Sequence, residues 1–493
     1  MTTPHGSLIR DSEGITETMS DSIPNVLAQR YASAPIKALW SESGRIVLER
    51  ELWIAVLKAQ RDLGLEISDQ AITAYEKVKD RVDLDSINER ETLTRHDVKA
   101  RIEEFCVLAG YEEIHKGMTS RDLTDNVEQF QILRTLKLLL PKYVTLLLHL
   151  AQRAQQWRDL VVVGRTHNVA AQPTTMGRRL AMFGEEMLVA LRRMETLIAS
   201  YPLRGLKGAV GTAVDQLTLC DGDEARVQAL QSSIQRHLGF EHQLGAVGQI
   251  YPRSLDFEVV SCLFQLGGGM ANMARTLRLM AGSEIATEGF ASGQVGSSAM
   301  PHKMNTRSCE RINGLQLVLG GYVHMLQGLV GDQWFEGDVS CSVVRRVALP
   351  DSFMAFDGMV ETMLHVIDDM GVYESVIENE VQRYLPFLAT TTLMMEAVQR
   401  GTGREAIHEA IKEHAVAVAL EMREQGLTDN DLAARLGGDD RVPLKPEEIS
   451  AILADSRAFT GLARQQTDAF VKRVDEIVNR YPQARDVEKS RLL

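Results

Sequence analysis

The sequence predicts an all-α protein in which long helices carry one polar, glycine-rich loop. Three observations lead there. Leu, Ala, Met, Arg and Glu are plentiful while aromatic residues make up only 5%, a balance that favours helix over strand. Apolar residues recur at three- and four-residue steps over long stretches, and no alternation of polar and apolar residues is sustained. Between two such stretches lies Ala291 to Arg307, ASGQVGSSAMPHKMNTR. There Gly293 and Gly296 loosen the backbone around the hydroxyls of Ser297 and Ser298. Polar loops on rigid supports are where binding and catalysis concentrate.

Composition narrows the possibilities. A chain of 493 residues exceeds one compact core and suggests roughly two to four domains. The net charge of -13 argues against a nucleic-acid partner and leaves room for a local basic pocket holding an anionic substrate. The cysteines, Cys106, Cys220, Cys262, Cys309 and Cys341, are odd in number and form no C-x-x-C pair, so no disulfide framework is expected. The first twenty residues have no apolar core of signal-peptide type, and no segment is apolar enough to span a bilayer. A cytoplasmic protein without a membrane partner is expected.

Residues 1 to 22 are polar and read as a tail. Ile23 to Ser33 leads into the first ordered region, where Arg30-Tyr31 is either a capping or a surface feature. Arg45 to Leu63 sets Ile46, Leu48, Leu52 and Ile54 to Leu57 among charges and reads as a helix that Gly64 ends. Asp83 to Ala109 is helical again, with a break at Thr92 to His96. Thr94 followed by Asp97 reads as a capping-box variant, and Val98, Ile102, Phe105 and Leu108 form the apolar face. His96 and Asp97 then fall in a first turn, where free N–H groups favour an anion; a solvated first-turn residue is the plainer reading. Gly110 to Asn126 repeats the signal. Thr119 or Ser120 before Asp122 is a cap, and hydroxyls beside Arg121 at a helix start equally suit a carboxylate or phosphate.

Gln129 to Trp157 is one long apolar stretch containing Pro141. Leu138 to Leu140 and Leu146 to Leu148 cover most of its circumference, as in a bundle centre or a subunit interface. Asp159 to Arg179 breaks the pattern. Val161 to Val163 reads as a brief strand and Thr166-His167-Asn168 as a loop. Thr174 or Thr175 then caps a helix with Met176, Leu180, Phe183, Met187, Leu191 and Met194 at core spacing. Gly205 to Asp215 lacks both the dinucleotide and the Walker context and reads as a loop whose N–H groups meet an anion. Gly248 to Arg253 is a polar junction before a helix in which Met270, Met273, Ala274, Leu277 and Ala281 face a core. A further polar stretch runs from Asp332 to Arg346; Arg346 is either a phosphate contact or a solvated arginine. Met354 to Arg400 reads as helical with a break at Pro386, and Pro446 starts a helix in a small terminal helical region.

The polar clusters, at 94–97, 119–126, 164–175, 249–253, 292–307 and 342–346, each sit at a helix end or in a loop. Such ends can converge on one pocket in a bundle. His167 suits acid–base work because an imidazole titrates near neutrality. A serine of the glycine-rich loop is its partner, and Lys303 with nearby N–H groups stabilises developing negative charge. No metal motif of the H-E-x-x-H kind is present, and no G-x-S-x-G elbow encloses Ser297 or Ser298. The residues point to acid–base chemistry on an anionic substrate, with no metal and no cofactor.

The segment GSSAMPHKMN resembles the signature of the fumarase/aspartase superfamily. From about residue 23 onward the chain resembles the adenylosuccinate lyase family within it, in its actinobacterial branch. The further matches are Arg30-Tyr31-Ala32-Ser33, His96-Asp97-Val98, Thr119-Ser120 with Asp125-Asn126, Thr166-His167 with Gln172-Pro173-Thr174-Thr175, Gly248-Gln249, and 334–346.

The resemblance implies a three-domain, nearly all-helical subunit, divided at 23–125, 126–385 and 386–493. It implies a homotetramer whose long helices form one central bundle and whose active sites each draw on three subunits. The implied reaction is β-elimination of fumarate from adenylosuccinate and from succinylaminoimidazole carboxamide ribotide. Ser297 is then the general base and His167 the general acid, while Lys303 and Asn305 stabilise the carbanion. His96, beside Asp97, contacts the phosphate or orients the acid. Arg30, Tyr31, Arg307, Ser342 and Arg346 hold phosphate or ribose; Thr119, Ser120, Thr166 and Gln249 hold the succinyl carboxylates. Many members carry a substrate-contacting arginine where this chain has Gly337, which leaves an anion to another arginine such as Arg345. Argininosuccinate lyase, fumarase, or a helical homologue without catalysis are the alternatives.

Overall fold

Five long helices set the frame: Ser120–Gln156, Met176–Ser200, Ser254–Gly282, Arg307–Gln327 and Cys341–Asp369. Each packs on the next and the last returns to the first, closing a ring. The computed structural model describes residues 24–289, 300 and 302–490; Gly293, Gly296, Ser297, Ser298 and Pro301 of the predicted loop lie outside them.

Side-chain contacts fix the helix directions. Arg345 meets Glu128 and Asp256, each at 2.6 Å, so the 120–156, 254–282 and 341–369 helices all begin at one end, called here the head. Arg153 reaches the Ile367 carbonyl at 2.9 Å where two of them finish. Gly177 lies against the Ala154 carbonyl, and Arg278 bonds Asn313 at 3.0 Å, so the other two helices begin at that opposite end, the tail. At 1.5 Å per residue the 29-residue 341–369 helix keeps head and tail roughly 40 Å apart.

The local signals account for the ends. Thr119 caps the 120–156 helix in a full capping box with Asp122, and Thr175 caps the 176–200 helix through the Arg178 N–H at 3.2 Å. Pro141 is carried inside the first of these helices without ending it. Met176, Leu180, Phe183, Met187, Leu191 and Met194 are all buried, as their spacing predicts. Gly64 follows the Glu42–Asp62 helix at φ 82°, and Pro446 opens the Pro446–Leu453 helix.

Two expectations are corrected and a third is refined. The N-cap of the Asp97–Ala109 helix is His96, whose Nδ1 accepts from the Lys99 N–H at 3.2 Å. Thr94 instead ends the preceding helix, its hydroxyl turned back to the Arg90 carbonyl at 2.8 Å. Pro386 lies in the last turn of the Glu374–Leu388 helix, which ends at Ala389 before the Thr390–Gln399 helix; a further break comes earlier, where Gly371–Val372 pairs with Ala286–Thr287. The strand at Val161 runs on to Thr166 and pairs with Val169–Thr175 in an antiparallel hairpin. Pro173 hid that second strand, but a two-stranded ribbon is all edge and tolerates a missing N–H.

Residues 393–449 build a separate apolar cluster from Leu393, Ile407, Val418, Leu432, Leu436 and Ile449. The last long helix, Ala463–Arg480, returns to the main core through Phe470, Val474 and Val478. No helix among the described residues is long and apolar enough to cross a membrane.

Candidate active site

The head end is organised by the first two turns of the 120–156 helix. Asp122 is fully buried and accepts five hydrogen bonds: from the Thr119 N–H and hydroxyl, from Arg204, and from the N–H groups of Lys207 and Gly208, all between 2.8 and 3.0 Å. The anion that the glycine-rich 205–215 loop meets is therefore the protein's own carboxylate. Asp125 accepts from the Tyr251 N–H at 3.0 Å and from Arg253 at 3.2 Å. Asn126 bonds the carbonyl and the N–H of Gly205. Arg204 also donates to the Gly248 carbonyl at 3.1 Å, and the Gln249 N–H to the Glu336 carbonyl at 2.7 Å. Through these bonds Thr119, Ser120, Gln249 and the 334–342 segment share one neighbourhood. Ser342 joins it through Arg121, at 3.3 Å, and Arg346 stands exposed one turn further on.

His96 belongs to the same end. Its side chain is half exposed, 3.9 Å from Asp97. Burial alone raises the Asp97 carboxyl, but Arg101 at 2.8 Å and the Val98 N–H outweigh it and hold the group below its ordinary value. Sequence reasoning missed His115. Its Nδ1 accepts from the Trp53 indole at 3.1 Å. Burial, aided by the charge of His96 and opposed by Asp122, pushes its pKa down to about 4. At neutral pH it is an uncharged imidazole whose other nitrogen carries the proton. Lys207 was missed as well; burial and then Arg204 hold its ammonium below its ordinary value. The weak signal for both was their place beside the Thr119 cap and in the glycine-rich loop.

Arg345 is not available for a ligand. It is buried and held by Asp256, Glu128 and the Tyr251 hydroxyl, so it does not stand in for the side chain lacking at Gly337. Gly337 has φ 149°, and a Cβ there would lie 3.1 Å from Gln249 Cβ.

The tail end holds the remaining described candidates. His167 and Asn168 form the two-residue turn of the hairpin, at φ 53° and 64°, the signature of the hairpin turn whose twist matches its strands. Thr166, His167 and Asn168 are exposed. The hairpin faces Thr276, Met280, Ser283 and Ile285 at the finish of the 254–282 helix. Arg307 begins the 307–327 helix, and the N–H groups of Ser308 and Cys309 donate to Glu288 at 2.9 Å each. Lys303 is exposed and Asn305 half-buried just before it. One turn beyond Arg307, Arg311 lies over the Tyr31 ring, 5.3 Å from its centroid, which brings Arg30 and Tyr31 to this half of the bundle. Ser297 lies outside the described residues.

The candidates thus divide. His96, Asp97, Thr119, Ser120, Gln249, Ser342 and Arg346 gather at the head; Arg30, Tyr31, Thr166, His167, Lys303, Asn305 and Arg307 lie toward the tail. Within one chain these groups cannot flank one small molecule.

The lyase family profile matches residues 20–320, and the profile for the adenylosuccinate lyase C-terminus matches residues 386–470. The adenylosuccinate lyase of Saccharomyces cerevisiae is 34% identical over 92% of this chain and 95% of its own. That of Schistosoma mansoni is 31% identical over 93% and 96%. The crystal structure of 3-carboxy-cis,cis-muconate lactonizing enzyme from Pseudomonas putida shares the fold, with a TM-score of 0.78 and 20% identity over 92% of this chain and 99% of that one. With both profiles matched and these relatives aligned over nearly their whole length, the chain belongs to the adenylosuccinate lyase family of the fumarase/aspartase superfamily.

Proposed function

We propose that this protein is a cytoplasmic, cofactor-free homotetrameric lyase that eliminates fumarate from adenylosuccinate, leaving AMP. On the same reading it eliminates fumarate from succinylaminoimidazole carboxamide ribotide in purine synthesis. The observation that carries the reading is the likeness to adenylosuccinate lyases along nearly the whole of both chains.

Ser297 takes the proton from the succinyl β-carbon as its alkoxide. An unaided hydroxyl is far too weak a base, so water must be excluded and donors supplied around it. The electron pair passes into the adjacent carboxylate, where Lys303 and Asn305 stabilise the charge. The C–N bond then breaks, and His167 gives its proton to the departing nitrogen. Thr119, Ser120, Thr166 and Gln249 hold the carboxylates; Arg30, Tyr31, Arg307, Ser342 and Arg346 hold phosphate and ribose. His96, beside Asp97, contacts the phosphate or orients the acid.

Two features support a site shared among three subunits. Most candidates of one chain are split between bundle ends roughly 40 Å apart, with Arg30 and Tyr31 between them beside Gly358, so completing a pocket takes the head of one copy and the tails of others. The 307–327 helix also leaves a bare face: Gly314, Leu317, Val318, Gly321 and Met325 are exposed, Leu317 to 79%. From Ile312 to Val330 the sequence has no Asp, Glu, Lys or Arg. An apolar stripe of this length marks an interface, and a second copy of the same helix supplies a matching one.

The test is the ultraviolet absorbance of released fumarate. Release from adenylosuccinate and none from argininosuccinate is expected; the reverse result removes the reading.

A further inference from the structure

The segment after residue 481 crosses the outside of the bundle, and its contacts lead inward. The Thr145 hydroxyl donates to the Ala484 carbonyl at 2.7 Å. Lys489 pairs with Asp368, which His149 also meets at 2.7 Å. The Ser490 N–H donates to Glu361 at 2.9 Å, and the Ser490 carbonyl lies 2.9 Å from His365 Nε2.

Glu361 is fully buried, and so is Asp357 one helical turn before it. Lys142, from the neighbouring 120–156 helix, reaches both carboxylates at once. It is itself 8% exposed and lies 3.3 Å from the Ser33 hydroxyl. Asp357 completes the chain of contacts by accepting the Ser33 N–H at 2.6 Å. Two residues earlier, Tyr31 packs on the 341–369 helix at Gly358, where a Cβ would come within 2.6 Å of Tyr31 Cβ.

One cation serving two buried carboxylates cannot be rearranged locally. If Ser490 withdraws, Glu361 loses a donor and draws harder on Lys142, which weakens the hold on Asp357 and through it on Ser33. We propose that Lys142, Asp357 and Glu361 are positioning residues, which carry the docking of the 486–490 strap to the Arg30–Tyr31 segment and set its affinity for the substrate's phosphate. The role given to Arg30 and Tyr31 rests on the function proposed above; the mechanical link does not.

The experiment compares the full chain with a chain ended after Arg485 and with Glu361→Gln in the full chain, which keeps an acceptor for the Ser490 N–H. Thermal melting confirms that each variant folds. Hydrogen exchange is read on the peptide covering 26–40, and kcat, KM for adenylosuccinate and Kd for AMP are measured. Faster exchange in 26–40 is expected in the shortened chain, with KM and Kd raised about fivefold or more and kcat within about twofold; Glu361→Gln removes the charge that competes for Lys142, so exchange there is expected to be no faster than in the full chain. A purely structural strap would lower melting and kcat and leave KM alone. Unchanged exchange at 26–40 in the folded shortened chain, or faster exchange in Glu361→Gln, overturns the link itself. Faster exchange with unchanged KM and Kd overturns the role in phosphate affinity. A full chain without turnover of adenylosuccinate overturns the functional reading, and with it that role, while the exchange data still decide the link.

Discussion

Single residues here divide into those committed to the fold and those left for a ligand. Asp122 and Arg345 look functional in the sequence, yet each is saturated by partners within the chain. Asp122→Ala strands Arg204, which is fully buried, and is expected to cost about 3–5 kcal/mol; chemical denaturation measures it. Ser297→Ala should abolish turnover while assembly and AMP binding persist, so near-normal fumarate release would remove its role as base. His115 gives a pH signature. Its pKa is about 4 in the folded chain against 6.5 for a free imidazole, so below pH 6.5 the unfolded chain takes up the proton first. The stability tied to the neutral ring is therefore complete above pH 6.5 and drains away as pH falls toward 4, at about 1.4 kcal/mol for each step of one in pH. His115→Asn, tolerable at φ 69°, should flatten that part of the profile. Urea midpoints at pH 7 and 4.5 check this, and equal slopes in the two proteins would count against it.

At the level of elements, the legible signals were the local ones. Thr119 and Thr175 could be read as caps because a hydroxyl before a helical stripe satisfies free N–H groups wherever the helix later packs. The buried stripe of the 176–200 helix was legible for the same reason. What stayed hidden depended on distant partners. Pro386 does mark the end of its helix, two residues on, but the break at Gly371–Val372 was hidden because its strand partner, Ala286–Thr287, lies far back in the sequence. That Asp122 would serve the 205–215 loop, or that the candidate residues would part into two groups, required knowing which helices run parallel. The joint between the hairpin and the bundle illustrates how tight such contacts are. A Cβ on Gly177 would stand 2.3 Å from the Ala154 carbonyl oxygen and 2.6 Å from Arg158 Cα. Both neighbours are backbone, so Gly177→Ala should destabilise by about 1–3 kcal/mol, read as a lowered denaturation midpoint.

For the whole molecule, the division of candidates between two ends makes a direct prediction. His96→Ala disables a head and His167→Ala disables a tail. Each homogeneous variant should be inactive, and unfolding and reassembling the two together should restore fumarate release, because some pockets then pair an intact head with an intact tail. No recovery on mixing would mean that each copy completes its own pocket. The bare face of the 307–327 helix carries this further. In a symmetric assembly a single codon is read into every copy, so a charge introduced at Leu317 or Gly321 is not one defect but the same defect confronting its own image across each contact. In the proposed tetramer, mutational tolerance along that stripe is set by self-repulsion, and a surface that looks free to vary in one chain is expected to be one of the least changeable in the molecule.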